Sequence, residues 1–331
     1  MFEQLFESFS SVKVGVIGDV MLDTYMWGEV ERISPEAPVP IVAMQKKDYR
    51  VGGAGNVTLN LRSMGAQAFM LSVTGNDEDA GKLNDLFRSN DISTRYCISS
   101  DNRITTNKIR IISRNQHMLR LDAEIISDLN SDDEEKLIAS FDEFLFNEKP
   151  DVVILEDYNK GVLSQRVITH VLDRCRQASV LTAVDPKRKN FFAYQVVDIF
   201  KPNLKEVKDA LHLLFTEANA SLLQEVHSSL QQQLQHKISL ITLSEKGVFF
   251  EDENASAIIP SHLRSIADVS GAGDTVIAVA ALVYATTGNV KLMAEVANLA
   301  GGIVCEEVGT VAINRDKLLR ECNLLLQEVA G

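Results

Sequence analysis

The sequence predicts an α/β protein built on a doubly wound, mostly parallel sheet, and three observations carry that expectation. Short, nearly continuous apolar runs (Asp151-Val-Val-Ile-Leu155, Val180-Leu-Thr-Ala-Val184 and Ile238-Ser-Leu-Ile-Thr-Leu243) suit strands buried on both faces. Helical patterns stand between these runs, so strand and helix alternate through the C-terminal part of the chain. Acidic residues follow several strand ends, at the edge where open α/β sheets place their ligands.

The first strand is Val12-Lys-Val-Gly-Val-Ile17, which alternates and then runs into the turn Gly18-Asp19. Met21 to Tyr49 breaks the pattern, with Pro35, Pro38 and Pro40 beside the strand-like piece Val39 to Met44. Asn107 to Leu121 is also β-like, as Lys108-Ile-Arg-Ile-Ile112 followed by His117-Met-Leu-Arg-Leu121. These insertions, at residues 21–50 and 103–122, predict a small sheet covering the site as a lid on a single domain spanning 1–331. Ser131-Asp-Asp-Glu134 has capping-box spacing, and Leu137, Ile138, Phe141, Phe144 and Leu145 follow at helical intervals. Helices are further expected over Leu163–Arg176, Leu204–Phe215 and Leu222–Leu234, a strand over Val196–Phe200, and a buried helix over Thr275–Ala285.

Composition removes several function classes. The 331 residues carry 33 Lys+Arg and 46 Asp+Glu, so the net charge is 33 − 46 = −13, which opposes a broad grip on nucleic acid. An anionic small substrate then requires positive charge and backbone N–H groups concentrated locally. The N-terminus lacks the apolar run of a signal peptide, and no apolar stretch is long enough for a spanning helix, so no membrane role and a cytoplasmic location are expected. Cys97, Cys175, Cys305 and Cys322 are far apart and form no C-x-x-C pair, which disfavours zinc ribbons and redox dithiols.

The sharpest local feature is Asp268-Val-Ser-Gly-Ala-Gly-Asp274, followed by an apolar, small-residue helix. Gly271, Ala272 and Gly273 would aim first-turn N–H groups outward, making an anion site with the helix dipole. Asp274 sits beside that site and can accept a proton from an attacking hydroxyl; at a helix N-terminus it is expected to be ionised and a weak base. The alternative is that Asp274 only complements the dipole. No Walker A or Rossmann fingerprint occurs.

A second feature is Lys201-Pro-Asn-Leu-Lys-Glu206 at a strand-to-helix junction. Asn203 and Glu206 could bind nucleotide phosphate and water-shelled Mg²⁺, or could simply form a capping box. The third is Val51-Gly-Gly-Ala-Gly-Asn56, where Gly52 and Gly53 permit close backbone approach and Asn56 offers a donor and an acceptor. Asp19, Asp23, Asp157 and Asp185 at strand ends suit the vicinal hydroxyls of a sugar, although any one of them alone reads as a turn residue.

Together these residues resemble the ribokinase-like (PfkB) sugar kinases over essentially the whole chain. The signature D-[STV]-x-G-A-G-D is Asp268 to Asp274, with Val269 where many members have Thr; N-x-x-E is Asn203 to Glu206; the N-terminal glycine pair is Gly52-Gly53. The resemblance implies an αβα sandwich with a β-sheet lid, Mg-ATP as donor, and a sugar hydroxyl as acceptor. It makes Asp274 the base, Gly271 to Gly273 the anion hole, and Asn203 and Glu206 the organisers of Mg²⁺ and phosphate. Adenine is expected near Ser244 to Gly247 and Asn298 to Gly302, and a monovalent cation near Asp268 and Ser270.

A narrower set of segments is similar to the D-glycero-β-D-manno-heptose-7-phosphate kinases of ADP-heptose and lipopolysaccharide precursor synthesis. These are Gly18-Asp-Val-Met-Leu-Asp23, Arg32 to Pro40, Ser113 to Asp122, and Asp157-Tyr-Asn-Lys-Gly161. Such kinases occur alone or joined to an adenylyltransferase; 331 residues without an H-x-G-H motif lead to the expectation of a kinase domain only. The resemblance implies phosphorylation of the anomeric hydroxyl, with Asp19, Asp23, Asn56, Asp157 and Asp185 on hydroxyls. Lys108, Arg110, Arg120, Lys160 and Lys187 are the candidates for the 7-phosphate. Glu156 departs from the small residue expected before Asp157. A homodimer through the lid is also expected.

Overall fold

The computed structural model of the chain describes residues 1–326 except 115 and 216, so Asn115 of the Ser113–Asp122 segment lies outside the described residues. In chain order the elements begin with α1 (Phe2–Ser8), β1 (Lys13–Gly18), β2 (Val20–Ile33), β3 (Pro40–Gly53), α2 (Ala54–Ser63), β4 (Gln67–Gly75) and α3 (Glu78–Ser89). They continue with β5 (Ser93–Ser100), β6 (Asn107–Ser113), β7 (Gln116–Ala123), α4 (Ser131–Glu148), β8 (Val152–Glu156), α5 (Gln165–Ala178), β9 (Leu181–Asp185) and β10 (Ile199–Phe200). The C-terminal part is α6 (Leu204–Leu211), α7 (Ala220–Leu234), β11 (Ile238–Thr242), β12 (Val248–Glu251), β13 (Ser256–Ile259), α8 (Ala272–Thr287), α9 (Val290–Val304) and α10 (Arg315–Leu325).

The main sheet has the order β13-β12-β11-β10-β9-β8-β1-β4-β5 and is parallel from β5 through β11, with β12 and β13 added antiparallel at one edge. Successive residues of one strand enter opposite cores. Val152 and Ile154 pack with α2, α8 and α9, whereas Val153 and Leu155 pack with α4, α5 and α7. Burial on both faces is the physical reason these strands read as unbroken apolar runs. The chain is thus a three-layer α/β sandwich of the ribokinase type.

Several boundaries differ from expectation: the helix expected over Leu204–Phe215 ends at Leu211, where His212 turns left-handed (φ 54°), and two others have equally local causes. Asn130, not Ser131, caps α4, because its side chain reaches the Asp133 N–H at 2.9 Å. The strand expected from Val196 shrinks to Ile199–Phe200, since Val196 adopts a left-handed backbone (φ 62°) that interrupts extension.

A second sheet, in the order β3-β2-β6-β7, is built from the two inserted β segments. β2 starts buried against the main domain and runs outward to an exposed tip, and β3 returns from an exposed start to a buried end. Side chains alternate across this sheet. Lys108, Arg110 and Arg120 share the face directed at the strand ends of the main sheet, whereas Ile109, Ile111, Leu119 and Leu121 share the other. Leu119 and Leu121 are 52% and 48% exposed, so that outer face is an apolar surface open to solvent. Among the described residues, no helix is long and apolar enough to cross a membrane.

Candidate active site

The loop before α8 and the first turn of that helix form the centre of the site. Gly271 caps α8 in a left-handed conformation (φ 79°), and a Cβ there would sit 2.7 Å from the Asn56 amide nitrogen. The N–H groups of Gly271, Gly273 and Asp274 find no acceptor among the described residues. Ala272, expected to be a third donor of the anion hole, instead points its N–H at the Val269 carbonyl at 3.3 Å.

Asp274 is buried and accepts from the Asn56 amide at 2.8 Å and from the Tyr158 hydroxyl at 2.6 Å. The helix terminus was expected to keep it a weak base. Burial dominates instead and pushes its pKa up to about 6, against the opposing pull of those two hydrogen bonds. Asp274 therefore remains mostly ionised at neutral pH while being a stronger base than its helical position alone dictates.

Beside it, at the ends of β8 and β9, lie Glu156 and Asp185, and carboxylate oxygens of Glu156, Asp185 and Asp274 come within 4.8 Å of one another. Asp185 pairs with Lys201 at 2.8 Å and Lys187 at 3.0 Å. Burial works to raise the Asp185 pKa, but the two ammonium groups prevail and hold it below the ordinary value. Lys187 also reaches Glu206 at 2.9 Å. Asn203 and Glu206 form a full capping box at the start of α6, so both side chains are already engaged. Glu156 is fully buried, and neither of its carboxylate oxygens has a hydrogen-bond partner.

Two of the acids expected on a sugar do other work. Asp19 accepts from the N–H groups of Tyr158 (2.8 Å), Lys160 (2.9 Å) and Val162 (3.0 Å), tying the loop after β8 to the end of β1. Asp157 accepts from Tyr194, Asn190 and the Asn159 N–H. A buried carboxylate gathers nearby donors, so these two were consumed by the framework. Gly53 also serves the framework, since a Cβ there would lie 2.4 Å from the Asp19 carbonyl oxygen.

The remaining groups do converge. Asp23 meets Arg110 at 2.5 Å and the Thr310 hydroxyl at 3.0 Å, and Gly52 leaves room for its carboxylate. The Lys108 ammonium stands 5.0 Å over the Tyr158 ring. Its pKa is lowered by burial first, then by Lys160, Arg110 and Arg120, against the favourable Asp23 charge, so these cations are electrostatic neighbours. Lys160 is paired with Glu124 at 2.8 Å and Arg120 with Asp122 at 2.9 Å.

Next to the α8 terminus opens a cavity of about 580 Å³, lined by Ser244, Gly247, Val276, Asn298 and Gly302 among others, with Ala272 and Gly273 at its inner end. The expected adenine segments, remote in sequence, meet on this one cavity. Asn298 also ties it to the Pro260 carbonyl at 2.9 Å. Asp268, near the expected monovalent cation, accepts from the N–H and hydroxyl of Ser270 and from the Gly309 N–H.

Tyr158 and Lys201 were given no role by sequence reasoning. Lys201 directly follows a buried strand and is itself 2% exposed, a placement a lysine tolerates only with a carboxylate partner. Tyr158 follows the strand-end pair Glu156-Asp157, but its reach to Asp274, 116 residues away, has no local signal.

The family model for pfkB family carbohydrate kinases matches residues 12–317. The chain is 38% identical to the bifunctional protein HldE of Aliarcobacter butzleri over 92% of this chain and 63% of that protein. It is also 38% identical to HldE of Campylobacter jejuni over 95% of this chain and 65% of that protein. It thus spans less than two thirds of the length of these curated relatives. Among solved structures, phosphofructokinase-2 from Escherichia coli in complex with potassium superposes with a TM-score of 0.79 at 15% identity, covering 96% of this chain and 99% of that one.

Proposed function

As this chain belongs to the pfkB family of carbohydrate kinases, we propose that it transfers the γ-phosphoryl group of ATP to the anomeric hydroxyl of D-glycero-β-D-manno-heptose 7-phosphate. The observation that carries this reading is the placement of Asp274: a buried carboxylate fixed by Asn56 and Tyr158 beside unpaired N–H groups of α8, facing a cationic sheet.

ATP enters the cavity between Gly247 and Asn298, with its terminal phosphates toward the first turn of α8. The N–H groups of Gly271 and Gly273 hold the charge of the migrating phosphoryl group. The sugar lies between Asn56, Asp23 and Tyr158, and its anomeric hydroxyl gives its proton to Asp274 as the new P–O bond forms. Lys108, Arg110, Arg120 and Lys160 receive the distal phosphate, which accounts for four cations on one wall of a protein with a net charge of −13.

Both Glu206 oxygens are already engaged, by Lys187 and the Asn203 N–H, which suits contact to a hard divalent cation through water and not by direct ligation. When bound, Mg²⁺ supplies neutralisation of the β- and γ-phosphate charge. The outer apolar face of the second sheet, around Leu119 and Leu121, is where a second copy pairs.

The test is a panel of sugars and sugar phosphates with ATP. Turnover with heptose 7-phosphate, and little with ribose or fructose, supports the reading. Turnover with an unphosphorylated sugar alone replaces it with another kinase specificity of the same family.

A further inference from the structure

Glu156 is the one member of the carboxyl cluster without a donor. Asp274 has the Tyr158 hydroxyl and the Asn56 amide, and Asp185 has two ammonium groups. Both Glu156 oxygens are buried and unpartnered, although the side chain ends within 4.8 Å of the other two acids. An ionised carboxylate in that position would bear the cost of lost hydration with no hydrogen bond to offset it.

Charge counting selects what relieves it. Glu156, Asp185 and Asp274 sum to −3 and Lys187 and Lys201 to +2, so one proton balances the cluster. Glu206, on the far side of Lys187, shares that ammonium group and also accepts from the Asn203 N–H, so the count leaves no positive charge over for Glu156, and the hydroxyls of Tyr158 and Tyr194 remain protonated nearby. Of the three acids, the proton belongs on the one that receives no hydrogen bond.

We propose that Glu156 carries the single proton of this cluster, as a buried neutral acid that leaves Asp274 free to remain the anionic base. Glu156 is thus a positioning residue for the electrostatics of the site, and the inference rests on Asp274 acting as the base. The direction of its pKa agrees: burial first, then the charges of Asp185 and Asp274, raise it well above the ordinary glutamate value. The functional consequence is an alkaline limb. When Glu156 ionises, an uncompensated negative charge appears beside the base and the incoming phosphates, and phosphoryl transfer falls.

Infrared spectroscopy of the intact, nucleotide-free protein tests this without turnover. At about pH 8, where the carboxyls of Asp19 and Asp274 are ionised, the carbonyl band of a protonated carboxylic acid is expected in the wild type and lost in Glu156→Gln. In kinetics, kcat/KM of the wild type declines on the alkaline side, and Glu156→Gln stays active past that decline. Absence of the band in the wild type overturns the proposal, as does its persistence in Glu156→Gln. Tight Mn²⁺ binding by the nucleotide-free wild type that Glu156→Gln abolishes also overturns it, in favour of a cation at the same place. The spectroscopic arm needs no substrate, so it succeeds or fails independently of whether heptose 7-phosphate is the acceptor.

Discussion

Replacing Asp274 by Asn removes the base while keeping its shape. The new amide oxygen can accept from Asn56 as the carboxylate did at 2.8 Å, and its NH₂ then faces Tyr158, whose hydroxyl can rotate to accept. The Tyr158 hydroxyl gives up its acceptor but the shape and the Asn56 contact are kept, so the fold is retained and the loss is chiefly chemical. A positioned general base contributes ~10²- to 10⁴-fold, or about 3–5 kcal/mol of barrier. Asp274 does not itself line the cavity beside the α8 terminus where ATP is proposed to bind, so KM for ATP is expected to change less than about threefold. In the wild type, kcat rises as pH increases through about 6, because Asp274 must be ionised to accept the proton. The assay is steady-state phosphoryl transfer from pH 5 to 9 (about four units around that value), with Tm as a control for folding. An Asp274→Asn enzyme keeping more than a tenth of wild-type kcat, or an unchanged acid limb, refutes the role.

Tyr158→Phe deletes a hydrogen bond that lowers the Asp274 pKa, so the acid limb should move to higher pH with a loss in kcat of up to about tenfold; a pH–rate profile reads it. Lys108→Met should raise KM for the phosphorylated sugar at least about tenfold while leaving KM for ATP in place, as measured with each substrate varied in turn. His227 and His236 share Ser239 inside the domain, and burial lowers both, His236 to about 3. Their folded pKa values lie below the unfolded value, so the stability they contribute is present above about pH 6.5 and is lost as pH falls toward 3, by up to ~1.4 kcal/mol per unit for each ring. Denaturant melts of His236→Gln should show a shallower acid slope than the wild type. Leu119→Asp with Leu121→Asp should shift the protein to a smaller species in sedimentation if that face pairs two copies, without altering Tm by more than a few degrees.

The α/β architecture was legible because burial on both faces leaves unbroken apolar runs such as Val152 to Leu155, and the two inserted β segments were legible from alternation. The glycine turn into α8 was legible because Gly271 to Asp274 is contiguous, and a glycine cap and a first-turn acid act over one helical turn. The expected Ser244 and Asn298 segments also reached one cavity, Ser244 following the end of β11 and Asn298 lying within α9.

What local sequence could not decide is which partner a buried charge finds. Asp19, Asp23, Asp157 and Asp185 look alike as strand-end acids, yet the first and third each already accept three hydrogen bonds from the framework, from loop N–H groups, Tyr194 and Asn190. Likewise the pKa of Asp274 and the isolation of Glu156 follow from exclusion of water and from groups 29 to 218 residues away in the chain, Asp185 from Glu156 (185 − 156) and Asn56 from Asp274 (274 − 56) at the extremes. Local sequence determined the sheet, the glycine turn that opens α8 and the family to which the chain belongs, because backbone propensity and periodic burial act over a few residues. Only the tertiary structure decided which carboxylates face the site and which hold it together, because desolvation and hydrogen-bond competition are properties of the packed interior.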